Sequence, residues 1–115
     1  MTEKIPPELE SKLIRLQELQ EQLRLLTIRR QQLELQLREI EHTLEQVEKL
    51  ESNVEIYKTT GYIMFKVSKD RILEELKDRK ETLELRIKVL RKQENSVRKQ
   101  FEDLRKDISK SLPTR

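Results

Sequence analysis

Two runs of leucine at heptad spacing constrain this chain more than any other feature. One position of a seven-residue repeat holds Leu9, Leu16, Leu23, Arg30, Leu37 and Leu44, and a second holds Lys12, Leu19, Leu26, Leu33, Ile40 and Val47. The repeat resumes later with Leu73, Lys80, Ile87, Glu94, Phe101 and Ile108 at one position and Leu76, Leu83, Leu90, Val97 and Leu104 at the other. Apolar residues at the a and d positions form a narrow stripe along a helix, which is the seam of a coiled coil. The spacing predicts one helix over about 8–52, on the order of 65 Å long at ~1.5 Å per residue, and a second over about 69–111. Pro6-Pro7 bars helix before the first, and Pro113 stops the second.

The two seams can be tested against each other, because an a residue of one helix shares a layer with a d residue of its antiparallel partner. Leu44 with Leu76, Leu37 with Leu83, Leu23 with Val97, Leu16 with Leu104, Val47 with Leu73, Leu33 with Ile87 and Leu19 with Phe101 are pairs whose numbers each add to 120. The implied reversal point is Thr60, beside the chain's single glycine, Gly61. Agreement of independent patterns on one turn favours a helical hairpin within one chain over a parallel dimer. The exceptions in the seam, Arg30 and Glu94, fall in adjacent layers and predict an ion pair that specifies register. Lys12 and Lys80 are long enough to carry their charges out of the seam.

Between the helices lies Val54 to Val67, V-E-I-Y-K-T-T-G-Y-I-M-F-K-V, rich in β-branched and aromatic residues. With Thr60-Gly61 as its turn it reads as a β-hairpin over about 54–67. Ile63, Phe65 and Val67 alternate to one face, and Tyr62 and Met64 to the other. Two strands alone are marginal in water, and both faces are apolar enough to need cover. Exposed edges and faces of this kind drive assembly with hairpins of other subunits into a larger sheet or barrel; the alternative is a hairpin that caps its own coiled coil. Ser68 is the natural N-cap of the second helix.

A charged content of 41% against 34% hydrophobic and 3% aromatic residues leaves too little for a globular core, yet the sustained period argues against disorder. The net charge of +3 is split, −3 over residues 8–52 and +6 over 66–115, which suits two helices lying side by side. A single glycine rules out a glycine-rich phosphate loop, and one histidine, His42, with no cysteine leaves no metal cluster. His42 falls at an outward f position. The carboxylates are helix-surface charges, so the chain reads as no enzyme and as needing no cofactor. The amino terminus has no apolar run of a signal peptide and no segment has the length of a membrane span, which predicts a soluble cytoplasmic protein.

At the far end of the helical pair, Ile5, Leu9 and Leu13 come beside Ile108 and Leu112, and Leu13 at an e position is surplus to the seam. Apolar surface there is available to a partner; the bland alternative is the fraying end of an ordinary coiled coil. By its residues alone the chain is an oligomerising helical hairpin with an apolar tip, and the competing readings are a structural spacer and a basic coiled-coil arm that binds nucleic acid.

The sequence resembles the β-type subunit of the archaeal and eukaryotic chaperone prefoldin, also called GimC. The resemblance runs through I-P-P-E at 5–8, Q-Q-L-E-L at 31–35, V-E-I-Y-K-T-T-G at 54–61, K-D-R-I-L-E-E-L-K-D-R at 69–79, E-T-L-E-L-R at 81–86 and K-Q-E at 92–94. Room for only one hairpin marks the β type rather than the α type. The resemblance implies a mainly α fold, a long antiparallel two-helix coiled coil joined by one β-hairpin that enters an inter-subunit β-barrel platform. It implies a hexamer of two α-type and four β-type subunits that holds unfolded or nascent polypeptide at the coiled-coil tips without ATP and delivers it to a group II chaperonin. Carried over by position, assembly falls to Val54, Ile56, Tyr57, Gly61, Ile63, Phe65 and Val67. Client binding falls to Ile5, Leu9, Leu13, Phe101, Leu104, Ile108 and Leu112, and chaperonin contact to Arg105, Lys106 and Lys110. No nucleic acid or membrane partner is implied. After Gly61 the chain departs from the common pattern, since Tyr62-Ile63-Met64-Phe65 is bulkier than the usual strand.

Overall fold

The computed structural model describes residues 5–112, as two long helices with a two-stranded antiparallel hairpin between them. Helix α1 spans Pro7–Glu48, strand β1 Ile56–Thr60, strand β2 Ile63–Val67 and helix α2 Lys69–Ser111. The Pro113 stop expected for α2 lies outside the described residues.

Each helix boundary has a local cause. Pro7 opens α1 as its first residue, where a missing N–H costs nothing, and the Pro6 carbonyl accepts the first helical bond from Glu10 N–H at 2.9 Å. Glu8 and Glu10 place negative charge in the first turn, where the helix dipole favours it. Helix α2 is capped by Ser68, whose Oγ accepts from Arg71 N–H at 3.2 Å. Helix α1 ends at Glu48, short of residue 52 and of the Ser52-Asn53 pair. Leu50 N–H closes back on Val47 O at 3.1 Å, a bond of the tighter three-residue kind that typically ends a helix.

The hairpin pairs Ile56 with Val67, Tyr57 with Lys66, Lys58 with Phe65, Thr59 with Met64 and Thr60 with Ile63. Its loop is therefore Gly61-Tyr62, one residue beyond the expected Thr60-Gly61. Gly61 has φ of +58° and, among the described residues, no other has a positive φ, the combination of a type II′ turn with glycine at its first position. Tyr62 accordingly belongs to the loop and not to a strand face.

The chain divides into two compact units. In the unit of residues 32–87, Leu44, Val47 and Leu76 form a buried cluster against which Ile40, Ile56, Ile72 and Leu73 pack. Leu83 and Ile87 are buried in the same unit. In the unit formed by residues up to 31 and from 88 onward, Leu19, Leu90, Val97 and Ile108 are buried. Every a and d position of both heptad runs is buried or half-buried, and nearly all other helical positions are exposed. At about 1.5–3 kcal/mol for each fully buried aliphatic side chain, this stripe supplies most of the cohesion of the helices.

The charged exceptions in the seam all find partners. In the unit that carries the chain ends, Glu94 is 2% exposed and accepts from Arg30 Nε and from Thr27 Oγ1, the latter at 3.0 Å, with Arg98 4.0 Å away. Burial alone would push the Glu94 carboxyl up, but the hydrogen bonds from Arg30 and Thr27 and the charges of Arg30 and Arg98 hold it below the usual carboxylate range. Lys12 leaves the seam for Asp107 at 2.9 Å. In the other unit, Lys80 approaches Glu41 at 3.9 Å.

Candidate functional site: apolar surface on the hairpin and at the helix ends

Within the unit of residues 32–87, position along the strands divides the apolar residues of one hairpin face into a seat at the base and an offered surface further out. Ile56 and Val67 are cross-strand partners at the base; both are half-buried, and Ile56 packs on the Leu44, Val47 and Leu76 cluster. Further out on the same face, Ile63 is 66% exposed and Phe65 43%. On the opposite face Tyr57 and Met64 are exposed, the Tyr57 hydroxyl donating to Glu55 Oε2 at 3.0 Å. Tyr62 in the loop and Val54 before β1 are exposed too.

Each strand has only one neighbour, so each keeps a row of backbone donors and acceptors facing outward. Exposed large apolar side chains on both faces and two unpaired edges make this hairpin an incomplete sheet. Gly61 has open space where a Cβ would stand, so its role is the backbone conformation of the turn rather than close approach.

Lysine side chains tie the hairpin to α2 and the start of α2 to the end of α1. The Lys58 ammonium, opposite Phe65 on the inward face, pairs with Glu75 of α2, and this hydrogen bond holds the Glu75 carboxyl below its usual range. Lys69, at the start of α2, donates to the carbonyls of Leu50 at 2.6 Å and Glu48 at 3.2 Å. Neither tie is signalled by the sequence, because both depend on how the hairpin is seated. Met64 and Tyr62 are exposed apolar residues beyond those named as assembly residues from the sequence; their bulk and their alternation to the second apolar face were the available signal.

In the unit that carries the chain ends, the named tip residues fall into distinct environments. Ile5 is 54% exposed and Leu112 49%, whereas Leu9, Leu13, Phe101 and Leu104 are half-buried. Ile108 is only 6% exposed and serves as core. Ile14 is 52% exposed and was not singled out from the sequence, because it stands at an outward f position that the seam leaves out of account. The Lys12 to Asp107 ion pair ties the two helices beside this surface, and its hydrogen bond raises the Lys12 pKa. Of the basic residues at the end of α2, Arg105 pairs with Glu102 of its own helix at 2.9 Å, while Lys106 and Lys110 are exposed. His42 is exposed. Among the described residues no helix is long and apolar enough to cross a membrane.

The family profile described as "Prefoldin subunit" matches residues 10–115. A prefoldin subunit beta of Sulfurisphaera tokodaii is 42% identical over 112 residues, 97% of this chain and 90% of the relative. One of Pyrobaculum islandicum is 43% identical over 108 residues, 94% of this chain and 86% of the relative. Among solved structures, the prefoldin beta subunit from Thermococcus strain KS-1 superposes with a TM-score of 0.91 at 32% identity, covering 99% of this chain and 100% of that one. The beta2 subunit of the same strain gives a TM-score of 0.71 at 25% identity over 79% of this chain and 97% of that one.

Proposed function

The chain belongs to the prefoldin family as a β-type subunit, and from that premise we propose that it is an ATP-independent holding chaperone that works only as part of an assembly. Its hairpin joins the hairpins of α-type subunits and of further β-type copies, two α-type and four β-type in all. Edge strands then pair, and Ile63 and Phe65 pass from water to the interior of a shared barrel. The observation that carries this reading is the incomplete sheet: two strands, two open edges and large apolar side chains exposed on both faces.

Clients are unfolded or nascent polypeptides in the cytoplasm, held at the helix ends by Ile5, Leu9, Leu13 and Leu112. Phe101 and Leu104, half-buried, and Ile108, buried, contribute where the ends fray. Several such ends on one platform make many weak apolar contacts with one client, so avidity retains it while each contact stays reversible. Selectivity follows because non-native chains expose apolar segments that folded ones bury. Release passes the client to a group II chaperonin, with Lys106 and Lys110, beside Arg105, as the basic contact.

Binding and geometry, rather than bond chemistry, carry this function. A nucleic-acid arm is disfavoured by the interleaving of charge: Arg24 is engaged by Glu21 at 2.5 Å and Arg105 by Glu102 at 2.9 Å, so these bases do not line up as a continuous track.

The client role is tested by light scattering of a denatured protein diluted into the assembled chaperone. The triple variant Ile5→Ser/Leu13→Ser/Leu112→Ser is expected to assemble normally and to lose most of the suppression of aggregation. Full suppression by an assembled triple variant would overturn the assignment of the tip.

A further inference from the structure

We propose that Lys69 is a positioning residue, a clamp that fixes the angle at which the hairpin leaves the helices before any assembly forms. Its place in the sequence is odd for its charge. Lys69 is the first residue of α2, where the positive end of the helix dipole makes a cation unfavourable. Its side chain instead turns away from its own helix and donates to the carbonyls of Glu48 and Leu50 at the end of α1.

That end needs a cation. Helix α1 has no basic residue in its last turn, and Lys49, just beyond it, is held by Glu45 at 3.2 Å. Carbonyls at a helix C-terminus carry the negative end of the dipole and lack helical partners. Glu45 O and Val47 O are met by the N–H groups of Lys49 and Leu50, and Lys69 meets Glu48 O and Leu50 O. One ammonium therefore caps α1 from a residue that follows the hairpin.

The topological consequence is that both legs of the hairpin are tied at their base. The incoming leg passes Leu50, the outgoing leg ends at Val67 and Ser68, and the Lys69 to Leu50 bond closes the loop between them. Lys58 to Glu75 adds a strut from β1 to α2. Packing of Ile56 gives the hairpin a seat, but a single apolar contact is not directional. Hydrogen bonds to charged donors are, and two carbonyls, Glu48 O at the helix end and Leu50 O in the turn that follows it, define one ammonium position. On the assembly reading given above, this preorientation lowers the ordering cost of bringing hairpin edges together.

The absence of cysteine from the sequence permits a direct test with two introduced labels. Spin labels at His42→Cys on α1 and Thr59→Cys on the hairpin, both exposed positions, report the seat of the hairpin in the full chain diluted with unlabelled chain. The otherwise native chain is expected to give one narrow distance peak. Lys69→Met is expected to lose that single peak at unchanged helicity, Lys69→Arg to restore it, and the Met variant to need on the order of tenfold more chain to assemble with its α-type partner. A narrow, unshifted peak in Lys69→Met overturns the clamp. A broadened peak in Lys69→Met with unaltered assembly overturns the contribution of the clamp to assembly, whereas the assembly reading itself fails separately, if the otherwise native chain does not assemble with its α-type partner.

Discussion

Glu94 concentrates the chain's polar specificity in one carboxylate. A charge in the seam is expensive to bury, and its pairing with Arg30 and Thr27 offsets that cost rather than adding much stability. Removing one partner differs from removing both. Arg30→Leu leaves the carboxylate buried without its main partner and is expected to cost about 3 kcal/mol in urea unfolding. Arg30→Leu/Glu94→Leu is expected to recover most of that loss, and a double variant as unstable as the single one would show that the pair itself is strongly stabilising. The pH dependence has a definite sign. Because the folded carboxyl sits below its ordinary value of 4.5, Glu94 contributes stability that is complete above that value and lost as pH falls through the folded pKa. The acid limb of a stability profile is therefore expected to flatten in Glu94→Gln, and an unchanged limb would place acid sensitivity elsewhere. The pair was legible from heptad arithmetic alone, since Arg30 and Glu94 are the two seam exceptions in neighbouring layers. Thr27 was not, because its hydroxyl joins the network from an e position that the seam does not define.

At the scale of elements, Gly61 and Lys69 mark what could and could not be read in advance. A lone glycine among β-branched and aromatic residues located the turn to within one residue; its φ of +58° explains why glycine stands there. Because open space surrounds the place a methyl group would take, Gly61→Ala meets no clash with a neighbour and tests conformation alone. It is expected to cost about 1 kcal/mol in thermal unfolding of the hairpin. No loss would mean that the loop relaxes to another turn type. The end of α1 was less legible. Ser52 and Asn53 carry the composition of a helix stop, but Glu48 is the last helical residue because Leu50 bonds back to Val47 and because Lys69 arrives to cap the end. A cap supplied from beyond the hairpin is a tertiary event, and no local pattern announces it. The same holds for Lys58 and Glu75. Ile108 teaches the converse: its heptad position placed it correctly at the helix ends, but seam residues near an end are still core, and exposure falls to Ile5, Ile14 and Leu112 instead.

For the whole molecule, the family relationship supplies what a single chain cannot display. The seams and turn lead to a helical hairpin on physical grounds, and the prefoldin relatives match it along nearly its full length. What the chain leaves unfinished is its two-stranded sheet, and on the function proposed above assembly is the step that completes it. The most direct measurement is the native mass of the chain mixed with an α-type prefoldin subunit, with and without Phe65→Asp. The native sequence is expected to give a hexamer. Phe65→Asp, which places a charge on the offered face while leaving Ile56 in its seat, is expected to give only smaller species of unchanged helicity. A hexamer that forms equally well from Phe65→Asp would contradict the hairpin as the element of assembly.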